Sequence, residues 1–214
     1  MTLTLFYAPG ACSLVPYVSL TEAGADFDIR NVNTGAKEQK TADYLAVNPK
    51  GKVPVLVIDG YPLTENVAIQ QFIARSFPKA NLLPADLLAQ TKAISLMAWF
   101  SSTIHPHLTP NARPENYCDI VEAHDGVKRV AQKLLLEDLK IAEKLLEGRE
   151  WFFDHFTVVD AYFFWCFRRA TQFNLDLSAY PNCLAHMARM RTRPSVQKVE
   201  AYEKEVQADF ARAA

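Results

Sequence analysis

The sequence predicts a mixed α/β N-terminal part followed by an all-α C-terminal part. Up to about residue 77, short β-rich runs alternate with stretches of helical periodicity, and beyond about residue 87 the strand-like runs disappear. The segment between them, PKANLLPAD, carries two prolines and fits neither pattern, which is typical of a linker. We therefore predict domains at residues 1–78 and 87–214, joined by a linker at residues 79–86.

The first elements of the N-terminal part are a strand, a helix and a second strand. LTLFYA reads as the first strand, SLVPYVSLTEAG as a helix that ends at Gly24, and FDIRNVN as the second strand. Two strands joined through a helix form a parallel pair with a crossover connection. This order predicts a βαβ unit.

The remaining elements of this part predict a hairpin followed by a helix. TADYLAVNPKG gives a short helix that stops before Pro49. The runs VPVLVID and YPLT are two strands separated by Asp59 and Gly60, a dipeptide suited to a tight hairpin turn. ENVAIQQFIARSF closes the part with near-helical spacing of its apolar residues. The whole pattern is βαβ followed by ββα.

The C-terminal part is predicted to be helical throughout. One long amphipathic helix is expected from Tyr117 to Leu146. Its apolar stripe consists of Val127, Val130, Ala131, Leu134, Ile141 and Leu145. FTVVDAYFFWCFRRA is apolar nearly all round, as expected for a helix buried among others. Thr157 and Asp160 have the spacing of a capping box, so the acid is read as structural rather than catalytic.

Composition excludes several kinds of protein. The net charge is −1, and 23 basic residues nearly balance 24 acidic ones. The chain therefore lacks the excess of positive charge that binds nucleic-acid phosphates. No apolar run is long enough to span a membrane. The four cysteines are widely spaced and form no CxxC pair, and no basic residue precedes Arg30 as a signal peptide would require. We expect a soluble cytoplasmic protein.

Cys12 lies between the first strand and the first helix, which matches the thioredoxin-like arrangement. The amino end of a helix stabilises a nearby thiolate, so a lowered thiol pKa is predicted there. The position of a resolving cysteine, three residues on, holds Val15, which indicates a one-thiol site. The alternative is that Cys12 is a small buried hydrophobic residue.

Two further features predict a peptide-binding site beside this thiol. Pro54 precedes a strand that is expected to lie next to the thiol, and the peptide bond before such a proline is often cis. A cis bond would leave the Val53 backbone able to pair with an extended peptide. Glu65 and Asn66 begin a helix, where an acid, an amide and unpaired N–H groups can hold an amine and a carboxylate. Together these features suit a cysteine-containing tripeptide.

Four stretches, YAPGACSLVP, DYLAVNPKGKVPVL, LTENVAI and FTVVDAYFF, resemble bacterial glutathione S-transferases of the beta class. The resemblance covers essentially the whole chain. It implies the glutathione transferase fold, a thioredoxin-like domain that binds glutathione as co-substrate, a helical domain that forms much of the site for a hydrophobic electrophile, and a homodimer. It implies no metal.

The resemblance also assigns site residues by position. The expected catalytic residues are Cys12, Ser13, His105 and Tyr7. The expected glutathione-binding residues are Lys37, Lys52, Val53, Pro54, Glu65 and Asn66. The expected electrophile-binding residues are Trp99 and Phe100. From position alone, Tyr7 fits a packed ring as well as a catalytic hydroxyl, and Trp99 and Phe100 fit core rings better than pocket residues.

Three positions depart from the family pattern. Asn66 stands where the family commonly has Ser or Gly. Pro106 follows His105, so the helix is expected to kink or end there. The glycine usual before the capping box is missing.

The predicted function is conjugation of the glutathione thiolate to hydrophobic electrophiles, joined by thiol–disulfide exchange or peroxide reduction through Cys12. The alternative is a glutathione-transferase-like binding or regulatory protein without turnover. A metal site built from His105, His107 and Cys118 is a third interpretation, disfavoured because Pro106 separates the two histidines.

Overall fold

Within residues 1–213, the part of the chain that this computed structural model describes, four strands form one mixed sheet. The strands are β1 (Leu3–Tyr7), β2 (Asp28–Asn31), β3 (Val55–Ile58) and β4 (Tyr61–Thr64), in the order β2-β1-β3-β4. Strand β1 is parallel to β2 and antiparallel to β3, and β3 is antiparallel to β4. This topology confirms the predicted thioredoxin-like fold.

Three helices accompany the sheet: α1 (Leu14–Glu22), α2 (Ala42–Val47) and α3 (Asn66–Ser76). The Thr41 hydroxyl caps α2 by accepting a hydrogen bond from the Tyr44 N–H group. Asp59 and Gly60 have φ angles of 46° and 88°, and two positive φ angles in succession define the tight turn that joins β3 to β4. The hairpin predicted from this dipeptide is therefore confirmed.

Strand β1 is buried on both faces of the sheet. Leu5 and Tyr7 have no exposed surface, while Phe6 on the opposite face packs with Tyr44 and Val55. Helix α1 buries every residue from Leu14 to Leu20. Because both elements are fixed by apolar packing, the loop that joins them starts and ends at rigid points.

The chain forms two compact units, Pro84–Met190 and a unit that combines Met1–Leu83 with the stretch from Arg191 onward. The first break lies inside the predicted linker at residues 79–86. Helix α9 (Pro194–Ala213) thus belongs to the same unit as the sheet. The sequence did not indicate that the C-terminal helix packs with the N-terminal part. The predicted domains 1–78 and 87–214 remain a prediction.

An ion pair fastens α9 to the end of α1. Arg193 donates two hydrogen bonds, of 2.8 and 2.7 Å, to the Glu22 carboxylate, and the Ser195 hydroxyl donates a third. Burial raises the pKa of Glu22, but the hydrogen bonds from Arg193 and Ser195 outweigh it and hold this pKa below its usual range. The charged carboxylate therefore stabilises the fold.

Replacing Glu22 with glutamine should lower the free energy of unfolding by about 2 kcal/mol at pH 7, the usual range for hydrogen bonds to a charged group. A depressed carboxyl pKa contributes stability above its unfolded value, and this contribution is lost as pH falls through the folded value. Urea denaturation at pH 7 and pH 3 should therefore show the difference between wild type and Glu22→Gln shrinking in acid. An equal difference at both pH values would contradict this account.

The second unit is helical. Its elements are α4 (Leu87–Trp99), a π-helical turn (Phe100–Ile104), α5 (His105–Ala112), α6 (His124–Leu145), α7 (Val158–Ala170) and α8 (Pro181–Arg191). Helix α7 is buried along nearly its whole length and begins with the predicted capping box of Thr157 and Asp160. No described helix combines the length and the apolar character needed to cross a membrane.

Helix α6 differs from its prediction in two respects. It begins at His124 rather than Tyr117, because residues 117–123 contain a separate short 3-10 turn. The buried face of the helix contains Ala131 and Leu135. Four of the six residues of the expected stripe face outward: Val130, Leu134, Ile141 and Leu145 are each at least 40% exposed. Val127 is half-buried. The sequence carries two adjacent apolar faces, and hydrophobic spacing does not distinguish which of them packs within the chain.

Candidate active site

The loop between β1 and α1 carries Cys12 and is closed by Ser13. The Ser13 hydroxyl accepts a hydrogen bond from the Ala8 N–H group at 3.0 Å and donates one to the Ala8 carbonyl at 3.1 Å. Gly10 has a φ angle of 73°, a left-handed conformation that glycine adopts without strain. The tight turn therefore brings the chain back so that Cys12 lies directly before α1.

Two predicted site residues, Val53 and Asn66, form hydrogen bonds with Cys12. Its thiol donates to the Val53 carbonyl, with 3.5 Å between sulfur and oxygen. The Asn66 side chain donates to the Cys12 carbonyl at 3.1 Å. The Val53–Pro54 peptide bond is cis. Two segments distant in the sequence are thus joined by direct hydrogen bonds to Cys12.

The predicted lowering of the Cys12 pKa is wrong. The side chain is only 8% exposed, and this burial raises the pKa of the Cys12 thiol to about 12. Its own backbone N–H group lowers the pKa, the negative charge of Glu65 adds to the rise, and Lys52 and Asn66 oppose it. Loss of hydration raises the pKa more than the N–H groups at the helix end lower it, because these few groups do not replace the water that the thiolate would lose.

Alkylation of Cys12 by iodoacetamide should consequently be slow and should still rise steeply at pH 8. A thiol with a raised pKa gains about tenfold in thiolate for each pH unit over pH 6–8. The rate can be followed by mass spectrometry of the peptide that contains Cys12. A rate that levels off below pH 7 would show that the thiolate is stabilised and would contradict the raised pKa.

Glu65 and Asn66 lie together at the start of α3. Glu65 has a φ angle of 70°, and its exposed carboxylate pairs with the Lys50 ammonium at 2.6 Å. Asn66 is 6% exposed, and its Oδ1 atom has no hydrogen-bond partner among the described residues. The site therefore presents a carboxylate and an unused amide acceptor next to Cys12. The sequence did not predict that Lys50 belongs to this site, because an ion pair between residues 15 positions apart follows no helix or strand periodicity.

Lys37, Lys52 and Tyr7, also predicted for the site, differ in exposure and in the contacts that they make. Lys37 and Lys52 are both exposed. The Lys52 carbonyl accepts hydrogen bonds from Tyr44 and Asn48, which holds the segment in front of Val53. Tyr7 is fully buried, and its ring contacts those of Tyr17 and Tyr202. Its burial favours the packed-ring interpretation.

In the helical unit, the backbone continues through Pro106, so of the expected kink or end the helix end does not occur, and the helix is distorted just before the proline. Proline lacks an N–H group and its ring crowds the carbonyl four residues earlier, and the chain relieves this by widening into the π turn Phe100–Ile104. The His105 ring packs against Trp165 with 4.5 Å between centroids.

The two aromatic residues expected at the electrophile site differ in exposure. Trp99 is partly exposed. Phe100 has no exposed surface and packs against Phe152, Tyr162 and Phe163 in the core of the helical unit. Burial of Phe100 does not support its contact with an electrophile, and Trp99 is the better candidate of the pair.

The third interpretation, a metal site, finds no support. His107 lies 2.6 Å from the Asp138 carboxylate, and the Cys118 thiol donates to the Ile120 carbonyl. Across residues 1–213, no group of three or more histidine, cysteine, aspartate or glutamate side chains is placed to hold a metal ion.

A sheet unit with a single cysteine at the amino end of its first helix, together with a helical unit, defines a thioredoxin-like thiol protein with a helical extension. Family models for the N-terminal and C-terminal domains of glutathione S-transferase match residues 1–75 and 110–189. Glutathione S-transferase GstA of Escherichia coli O157:H7 is 36% identical over 197 residues, which are 90% of this chain and 94% of that protein.

Solved structures agree. A bacterial beta-class glutathione S-transferase of Sphingomonas chungbukensis is 36% identical with a TM-score of 0.83, covering 94% of this chain and 98% of that one. A sphingomonad glutathione S-transferase in complex with glutathione is 33% identical with the same TM-score and coverage. The chain belongs to the glutathione S-transferase family, and bacterial members are among its relatives. It is a transferase that uses glutathione.

Proposed function

We propose that the enzyme conjugates the glutathione thiolate to a small hydrophobic electrophile at the site formed by Cys12, Val53 and Asn66. The observation that supports this most is the direct hydrogen bonding of Cys12 to both the Val53 carbonyl and the Asn66 amide. Glutathione is an extended tripeptide with a central cysteine. To bind glutathione, a site needs a free backbone edge that pairs with the peptide, space for the sulfur, and groups that bind the charged ends.

In the proposed complex, the Val53 backbone pairs with the cysteinyl part of glutathione, and Pro54 fixes the start of β3. The γ-glutamyl ammonium replaces the Lys50 ammonium as the partner of the Glu65 carboxylate, which Lys50 holds at 2.6 Å. The γ-glutamyl carboxylate lies at the amino end of α3, where N–H groups attract an anion. Lys37 and Lys52 supply positive charge for the remaining carboxylate.

Conjugation requires glutathione as the thiolate. Lowering its pKa by about two units requires ~2.7 kcal/mol of preferential thiolate stabilisation. The amino end of α1 and the Ser13 hydroxyl are the proposed sources. The catalytic role expected of His105 stays a prediction. The Ser13 hydrogen is directed at the Ala8 carbonyl, so Ser13 must rotate its O–H group toward the sulfur to contribute.

Cys12 is proposed to carry the disulfide chemistry. Its thiolate attacks a disulfide RSSR, forms a Cys12–S–S–R bond and releases RS⁻. A first glutathione thiolate then displaces the second RS⁻ and leaves glutathione bound to Cys12, and a second glutathione releases oxidised glutathione and restores Cys12. Since burial raises the Cys12 pKa, this activity should be slow near neutral pH compared with conjugation.

The proposal is tested by retention on a glutathione-affinity resin followed by a conjugation assay with an aryl halide. Retention with glutathione-dependent turnover supports the enzyme. Retention without turnover would favour the alternative, a binding or regulatory protein. Failure to bind would remove both interpretations.

We further propose a cytoplasmic homodimer. Val130, Leu134, Ile141 and Leu145 leave an apolar stripe of α6 exposed, which a second copy would cover. The four cysteines, all within the described residues, form no disulfide bond, which suits a reducing compartment. Analytical ultracentrifugation of wild type and of Leu134→Lys tests the dimer: the variant should shift toward the monomer.

A further inference from the structure

Helix α9 places a buried carboxylate against the loop that carries Cys12. Glu203 is 3% exposed, and its carboxylate accepts a hydrogen bond from the Gly10 N–H group. Gly10 is the left-handed residue of the turn, two positions before Cys12. The same turn is closed from its other side by the bonds between Ser13 and Ala8.

A carboxylate is expensive to bury unless hydrogen bonds replace its hydration. Its neighbours on α9, Lys204 and Glu205, are exposed, whereas Glu203 lies on the buried face of the helix. A charge-assisted hydrogen bond is stronger than a neutral one and fixes the position of its donor more firmly. The bond therefore constrains the turn at Gly10.

The placement of α9 itself does not depend on Glu203. The Arg193 guanidinium binds Glu22 at one end of α1, and the Tyr202 ring packs against Tyr7 and Tyr17 with centroids 5.7 Å apart. These contacts hold the helix on the sheet unit. Removal of the Glu203 carboxylate should thus loosen the turn and leave the helix docked.

We propose that Glu203 is a positioning residue that keeps the loop Ala8–Cys12 closed and the Cys12 thiol buried against Val53. The inference rests on the proposed function only for its effect on catalysis, since the glutathione sulfur would lie beside this loop. Its structural part concerns the accessibility of Cys12, which can be measured without any substrate.

The test compares iodoacetamide alkylation of Cys12 at pH 7.5 in wild type, Glu203→Met, Glu203→Gln and Glu205→Ala, by peptide mass spectrometry. Glu203→Met keeps the volume and removes the oxygen acceptor, so the rate should rise about tenfold, equivalent to ~1.4 kcal/mol. Glu203→Gln retains an oxygen acceptor and should restore a slow rate. Glu205→Ala changes an exposed acid on the same helix and should match wild type.

Cys166 and Cys183 provide an internal control, because both are buried in the helical unit. A selective rise at Cys12 supports the proposal. Equal rates in all four proteins, or a rise at Cys166 as large as that at Cys12, would overturn it. In the conjugation assay, Glu203→Met should raise KM for glutathione more than it lowers kcat. If glutathione were not the substrate, the alkylation result would still decide the role of Glu203.

Discussion

Replacement of Cys12 by alanine is expected to abolish disulfide exchange and to leave a substantial part of conjugation. The two reactions use different sulfurs: exchange needs a covalent bond to the protein, whereas conjugation needs only the glutathione thiolate. The Cys12 thiol is buried and its pKa is raised to about 12, so it is a poor source of negative charge for the conjugation step. Removal of the Cys12 thiol therefore eliminates the nucleophile for disulfide exchange. It leaves the main groups that stabilise the glutathione thiolate in place.

The measurement sets wild type, Cys12→Ala and Cys12→Ser side by side on a mixed disulfide of glutathione and on an aryl halide. Exchange should fall by at least about a thousandfold in both variants, the scale of losing a covalent nucleophile. Conjugation should fall by less than about tenfold, the equivalent of one hydrogen bond. Equal losses of the two activities would show that Cys12 acts in conjugation as well, and that the proposed division is wrong.

Replacement of Asp160 by alanine should lower the free energy of unfolding by about 4 kcal/mol, as expected when a buried hydrogen-bonded charge is removed. Asp160 has no exposed surface. Its carboxylate accepts hydrogen bonds from the N–H groups of Thr157 and Phe152, at 2.8 and 3.1 Å, and from the Thr157 hydroxyl. The His186 ring lies 3.1 Å from the same group. One side chain thus holds the start of α7, the loop before it and α8.

Chemical denaturation followed by circular dichroism measures this effect. Asp160→Asn keeps one oxygen acceptor and should lose about half as much stability. Thr157→Ala removes only the other half of the capping box and should lose about 1 kcal/mol. If Asp160→Ala were no less stable than Thr157→Ala, the contacts to Phe152 and His186 would contribute little, contrary to this prediction.

The elements that could be predicted are those specified by local chemistry. The Asp59–Gly60 turn needs two positive φ angles, which few residue pairs supply, and the spacing of Thr157 and Asp160 closes a capping box within one turn of helix. Alternation of strands and helices was enough to predict the parallel pairing of β1 with β2 and the hairpin of β3 and β4. Cys12, Val53 and Asn66 were brought together as predicted, because the topology places the ends of β1, β3 and α3 side by side.

The features that could not be predicted depend on contacts between distant segments. Burial raises the Cys12 pKa, and burial depends on the folded structure. The position of Cys12 at a helix end, which the sequence does show, indicates only the weaker effect that lowers this pKa. The exposed stripe of α6 shows that apolar periodicity does not identify the partner that covers a face. The pairing of Lys50 with Glu65 and the return of α9 to the sheet unit join segments whose spacing carries no signal.

The docking of α9 has a consequence for biosynthesis. Gly10 and Glu203 are 193 positions apart, so the turn beside Cys12 receives its last hydrogen bond only when nearly the whole chain has been translated. Under the proposed role of Glu203, a nascent chain that already carries the complete sheet would still lack the contact that keeps this thiol buried. Shortening the polypeptide before residue 203 would make that immature state permanent.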